Sequence, residues 1–160
     1  MAIKFKKDSE LDRFDRKILE IVALDGRIAI TQLAKKLGMS ATPCTVRLKR
    51  LIESNYILGF RALLNPQKLD LTHVAFVEVK LHDTTEAALS NFNAAVMTVP
   101  EIEQVHMIAG PFDYLLKVRT TDIQSYRKVL GERISTLPHV ASSSTYVSME
   151  AIKDGGITGS

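Results

Sequence analysis

The chain has 160 residues, 46% of them apolar, with 21 Lys and Arg against 18 Asp and Glu. That suffices for one medium domain or two small ones, and no apolar run reaches the roughly 20 residues a membrane span needs. The opening MAIKFKKDSE is basic but lacks the apolar middle of a signal peptide, and a lone cysteine, Cys44, excludes an internal disulfide, so a cytosolic protein is expected.

The net charge of +3 is unevenly placed. Residues 1–64 carry 13 Lys and Arg against 7 Asp and Glu, whereas residues 65–160 carry 8 against 11. A basic front half and an acidic back half suggest two modules, only one of which meets a polyanion.

In chain order, residues 1–10 read as a frayed start. A first helix opens at Asp12, which can cap it, and runs to about Leu24 with Phe14, Ile18, Ile21 and Val22 on its inner face. Asp25-Gly26 is a stop signal, with Gly26 suited to a left-handed residue. From Thr31 to Ser54 the spacing predicts two short helices joined at Gly38. Thr31 caps the first, in which Leu33, Ala34 and Leu37 share a face. Ser40 is placed to cap the second, with Pro43 in its first turn and Cys44, Leu48, Leu51 and Ile52 as an apolar stripe. Thr42, Thr45, Val46, Lys49 and Arg50 lie off that stripe. A bracing helix followed by one offering small hydroxyls and cations is helix-turn-helix grammar, although an ordinary helical hairpin has the same periodicity. Asn55 tolerates the left-handed conformation, and Tyr56 to Leu64 reads as one or two short strands around Gly59, a wing. Asn65-Pro66 marks the boundary.

From His73 the period changes to two. Ala75, Val77, Val79 and Leu81 alternate with Phe76, Glu78 and Lys80. A helix from about Thr85 carries Ala88, Leu89, Phe92 and Val96 on one side and ends before Pro100. Strands follow over 102–109 and 113–119, with Gly110-Pro111-Phe112 turning between them. A capping box at Thr121 and Gln124 opens a helix whose Ile123, Tyr126, Leu130, Ile134 and Leu137 face inward, and a last strand spans 140–149. The order β-α-β-β-α-β is the ferredoxin-like arrangement, a four-stranded antiparallel sheet with both helices on one face. The domain layout expected is 1–64 for the helices and wing, 65–72 a linker, 73–153 the sheet domain and 154–160 a flexible tail. Phe76, Ile108 and Leu115 point to the uncovered sheet face, which suggests pairing with a second copy.

With these residues in hand the chain resembles the Lrp/AsnC, or feast/famine, transcription regulators from about Leu11 to Lys153. The matching stretches are LDRFDRKIL, DGRI, LAKKLGMS, TPCTVRLKRL, ILGFRALLNP, GPFDYLLKVR and TYVSMEAIK, in the family's order. The likeness is greatest to the leucine-responsive branch and its relatives that activate proline utilisation. The resemblance implies an α+β chain: an N-terminal winged helix-turn-helix on double-stranded DNA and a C-terminal βαββαβ domain that binds an amino acid such as leucine or proline. It also implies dimers joined through the sheet and often built into octamers, in a bacterial or archaeal nucleoid-associated setting. Two departures stand out. The family's Gly-Asp-x-Asp-Tyr loop is here Gly110-Pro111-Phe112-Asp113-Tyr114, which removes one carboxylate and one N–H donor. Ala41 stands where the family's Ser-Pro-Thr-Pro motif has its first proline.

For DNA, Thr42, Thr45 and Val46 are placed to read base edges from a helix in the major groove, with Ser40 and Pro43 at its start. Arg47, Lys49 and Arg50 are candidates for phosphate or guanine, Arg47 having an internal ion pair as the alternative. Lys35, Lys36 and Arg61 are second-rank phosphate contacts. For the effector, Asp113 beside Gly110, Pro111 and Phe112 is a candidate ammonium ligand or a turn cap, with Met107 and Ile123 as an apolar wall and Tyr146, Val147 and Ser148 nearby. A DNA-organising protein of the same shape without an effector response is the alternative reading. Catalysis has little support. His73, His82, His106 and His139 are scattered without metal-ligand spacing, and no glycine loop cradles phosphate. Neither an enzyme nor a metal or organic cofactor is expected.

Overall fold

The computed structural model describes residues 11–152. The basic start at 1–10 and the tail from 153 lie outside the described residues. The chain divides into two compact units that meet at Ala62 and Leu63.

The first unit holds α1 (Arg13–Leu24), α2 (Ile30–Leu37) and α3 (Ala41–Glu53). Asp12 caps α1 in a full capping box: its carboxylate accepts from the Phe14 and Asp15 N–H groups, and Asp15 reaches back to the Asp12 N–H. The core is Leu11, Ile18, Leu19, Val22, Leu33, Ala34, Leu37, Cys44, Leu51 and Ile57, all buried. Burial pushes the Cys44 thiol pKa up, which leaves it an inert core group.

Several local expectations are corrected. Thr31 lies inside α2 and does not cap it; the N-cap is Ala29, whose carbonyl accepts from Gln32 and Leu33. Ile52 is turned out to solvent, so the stripe of α3 narrows to Cys44, Leu48 and Leu51. Gly26 is not left-handed; a Cβ there would stand 2.8 Å from the half-exposed Phe60 ring, so a side chain at this position has to displace that ring. Gly38 (φ 67°) and Asn55 (φ 57°) do adopt the left-handed conformation. Residues 56–63 form no strand, and Leu64 alone makes a single bridge. That segment has no partner strand among the described residues of its own unit, and Leu58, Phe60 and Leu63 along it are exposed. Among the described residues the wing is therefore an extended arm without a ladder of its own over 56–63.

The second unit begins with a 3₁₀ turn (Pro66–Leu69) capped by the Asn65 side chain. It continues as β1 (His73–Leu81), α4 (Glu86–Val96), β2 (Ile102–Met107), β3 (Tyr114–Thr120), α5 (Ile123–Val129) with a π turn (Leu130–Ile134), and β4 (Val140–Val147). All neighbours are antiparallel in the order β2-β3-β1-β4, the ferredoxin-like sheet expected. The inner residues of β1 pack with Tyr114, Leu116 and Val118 of β3 and with Phe92, Val96, Tyr126 and Ile134 from the helices. The cap of α5 is Asp122, one residue later than the box read at Thr121; its carboxylate accepts from the Ser125 N–H. With the helix start shifted, Ile123 is 53% exposed and does not face the core.

Phe92 is fully buried against Tyr114, with ring centroids 4.4 Å apart. Phe92→Ala is expected to destabilise this unit by about 3–5 kcal/mol, measured by urea unfolding of the full chain.

Candidate nucleic-acid interface and effector site

Helices α1 and α3 are held together by one buried carboxylate. Asp15 is fully buried. Its Oδ1 accepts from Arg47 Nη1 at 2.9 Å, and its Oδ2 accepts from Arg50 Nη2 and from the Asp12 N–H. Arg47 also reaches Asp12 Oδ2 at 2.6 Å and lies 5.4 Å from the Phe14 ring centroid. Arg47 is thus an internal brace, as its ion-pair alternative anticipated. Burial opposes ionisation of Asp12, but the Asp15 and Phe14 N–H groups and the Arg47 guanidinium hold its carboxyl below the usual carboxylate range.

Sequence reading missed Asp15 and the engagement of Arg50. Charged residues at helical spacing look solvated until the partner helix is known. The signal that could have found them is an aspartate on the same face of α1 as Leu11, Ile18 and Leu19.

Beyond these pairs, α3 presents an open face. Thr42, Pro43, Thr45 and Lys49 are exposed, as is Val46 at 63%. The Thr45 hydroxyl donates to the Ala41 carbonyl at 2.9 Å, which leaves its oxygen as an acceptor. Lys49 faces Glu53 at 3.5 Å in a solvent-exposed pair, an arrangement worth little and readily exchanged. Ser40 stands at the N-cap position with its side chain making no cap bond. Lys35 and Lys36 close α2 on its exposed side, and Arg61 is exposed on the arm.

The effector candidates do not form one cluster. Met107 pairs with Tyr114 at the start of β3, next to the turn carrying Gly110, Pro111, Phe112 and Asp113. Ile123 follows the far end of β3, and Tyr146, Val147 and Ser148 lie at that same end, where Ala75 pairs with Val147 and His73 with Thr120. Along β3, Tyr146 stands level with Lys117, three residues from Tyr114, and Ile123 lies beyond Thr120, six residues from Tyr114, so the separations are about 10 Å and about 20 Å at roughly 3.3 Å per residue. Proximity within one subunit, as the sequence reading had it, is corrected by the antiparallel register.

Asp113 caps no turn of its own. Its backbone N–H donates to the Val79 carbonyl, its Oδ2 accepts from the Leu81 N–H at 2.8 Å and its Oδ1 from Lys80 Nζ at 3.1 Å. It latches the β2–β3 turn onto the end of β1. The Leu81 N–H first, and then Lys80, hold its carboxyl below the usual range. The outer sheet face carries Phe76, Leu115 and Tyr146 among ion pairs: Glu103 with Lys117 and Arg119, and a Tyr146 hydroxyl that donates to Glu78 at 3.3 Å. The described residues contain no group of three metal-ligating side chains and no helix long and apolar enough to cross a membrane.

Comparison with known proteins gives the same division. Residues 11–57 match a winged helix-turn-helix DNA-binding family, and residues 74–158 match the Lrp/AsnC ligand binding domain. A proline dehydrogenase transcriptional activator of Rhizobium radiobacter is 60% identical over 157 residues, covering 98% of this chain and 100% of the relative. The leucine-responsive regulatory protein of Salmonella typhimurium is 45% identical over 150 residues, 94% of this chain and 92% of that protein. A transcriptional regulator from Neisseria meningitidis, solved as an L-Met complex, superposes with a TM-score of 0.82 at 28% identity, covering 90% of this chain and 93% of that one.

Because the folded Asp113 carboxyl titrates below its unfolded value, its stabilisation is complete above about pH 4 and is lost as pH falls through the folded pKa. Asp113→Asn is expected to be less stable at neutral pH and to show a flatter loss of stability on acidification, measured by thermal melts across that range.

Proposed function

The chain belongs to the Lrp/AsnC family of DNA-binding transcriptional regulators with an amino-acid ligand-binding domain, and we propose that it activates proline catabolism in response to proline. The observation that carries this reading is the extent of likeness to the Rhizobium radiobacter activator, which runs the length of both chains. The division of labour proposed is residues 1–64 for DNA, 65–72 as linker and 73–153 for effector and assembly.

On DNA, α3 lies in the major groove. Thr42, Thr45 and Val46 meet base edges, Arg50 and Lys49 meet phosphate or guanine, and Ser40, Pro43, Lys35, Lys36 and Arg61 flank the backbone. Arg47 supports this face from behind. The exposure of Thr42, Val46 and Lys49 along one side of α3 favours the assignment.

The effector is held between copies. The Gly110–Asp113 turn with Met107 from one subunit faces Ile123 and the Tyr146–Ser148 strand end of another. A site whose parts lie three to six residues apart along the sheet in each chain acts as one only when two chains bring its halves together. Dimers form on the outer sheet face around Phe76, Leu115 and Tyr146, and dimers build an octamer on the nucleoid.

A second reading, a DNA-organising protein without effector response, draws on Pro111, which offers no N–H, and on Asp113, whose carboxylate is already occupied. Titration calorimetry with proline, leucine and methionine, read together with sedimentation velocity, separates the two. Heat with proline and a shift in assembly is the expected result; no heat with any of the three supports the second reading. In gel shifts on the protein's own upstream region, Val46→Arg is expected to abolish discrimination, while Lys49→Ala lowers affinity uniformly and reduces the salt slope by about one.

A further inference from the structure

We propose that Asp15 is a positioning residue for DNA recognition: it fixes the Arg50 guanidinium in place before DNA arrives. The inference rests on the reading of α3 as the DNA-contacting helix, and it concerns a residue outside that helix that cannot itself reach a groove.

The two arginines on Asp15 are not equivalent. Arg47 has three restraints, the carboxylates of Asp12 and Asp15 and the Phe14 ring, and its side chain is 29% exposed. It neutralises the buried charge. Arg50 makes one bond, through Nη2, and its side chain is 53% exposed. Its Nε and Nη1 have no partner among the described residues. Asp15 does not need Arg50 for solvation, since Arg47 and the Asp12 N–H already answer both oxygens. What the bond does is hold one corner of a planar fork. An arginine anchored at one nitrogen loses its rotamer freedom in the free protein, and the remaining donors are delivered in a set orientation. Lys49 is the contrast: its one partner, Glu53, is itself 62% exposed, so that ammonium samples many positions. Lys49 therefore attracts any phosphate, whereas Arg50 discriminates.

The test uses the full chain and two duplexes, one selected by the wild-type protein from a random-sequence pool and one scrambled from it. Asp15→Asn keeps the size of the group and removes its charge. The expected result is at least a fivefold fall in the ratio of selected to scrambled affinity, with circular dichroism reporting that the unit is folded. Arg50→Lys keeps a cation, loses the fork and is expected to lower the same ratio; the double variant then loses no more than the larger single loss. An unchanged ratio in folded Asp15→Asn, tighter binding of both duplexes, or additive losses in the double variant overturn the inference. If Asp15→Asn does not fold, an unchanged ratio in Arg50→Lys overturns it. A wild-type protein that selects no duplex sinks the reading of α3, and the role of Asp15 with it.

Discussion

A carboxylate removed from water must be answered by a cation and by N–H donors, and in the helical unit the whole architecture satisfies that demand at Asp15. The residue sits in the first turn of α1, closes the capping box with Asp12 and draws Arg47 and Arg50 of α3 onto itself. The start of α1 and the middle of α3 are therefore fixed to each other electrostatically, while Ile18, Leu33, Cys44 and Leu51 fix them by packing. Removing both arginines would leave an uncompensated buried charge, an effect on the order of 3–5 kcal/mol. The same demand gives the recognition helix its chemistry. Its arginines are paired with acids of their own unit.

The sheet unit solves a different problem. Two helices cover one face of a four-stranded sheet, and the core between them is closed by Phe92, Tyr114, Tyr126 and Ile134. The other face mixes Phe76, Leu115 and Tyr146 with ion-paired Glu103, Lys117 and Arg119. A surface of that composition suits association between copies, apolar at its centre with charges fixed against their own neighbours. Asp113 ties the β2–β3 turn to β1, so the loop assigned to the effector is held to the sheet rather than free.

Much of this was legible from spacing alone. The alternation of Ala75, Val77, Val79 and Leu81, the stripe of Ala88, Phe92 and Val96, and the left-handed turns at Gly38 and Asn55 all follow from local rules that tertiary structure did not override. Cap identity at Thr31 and Thr121 differs by a residue or two: the Asp122 carboxylate takes the N–H groups beside Thr121, and α2 starts from Ala29 with no side-chain cap at all. The wing strands were misread because β-propensity in Tyr56 to Leu64 says nothing about whether a partner strand exists. The interface residues divided along a sharper line. Thr42, Val46 and Lys49 could be placed from helical geometry, but the Asp15 network joins residues 32 and 35 positions apart, and the separation of Met107 from Tyr146 depends on strand register. Neither is encoded in local periodicity.

The π turn that ends the last helix accommodates one residue more than an α-helical turn would hold, with the Ser135 N–H donating to the Leu130 carbonyl at 2.9 Å. Gly131 lies within it, exposed and with open space where a side chain would be. Helix length is therefore adjustable at this one position: a chain shortened there by a single residue could rewind into regular α geometry and still bring Ile134 and Leu137 to the same wall. A one-residue deletion between the third and fourth strands has, at this bulge, a place to be absorbed without repacking the interior.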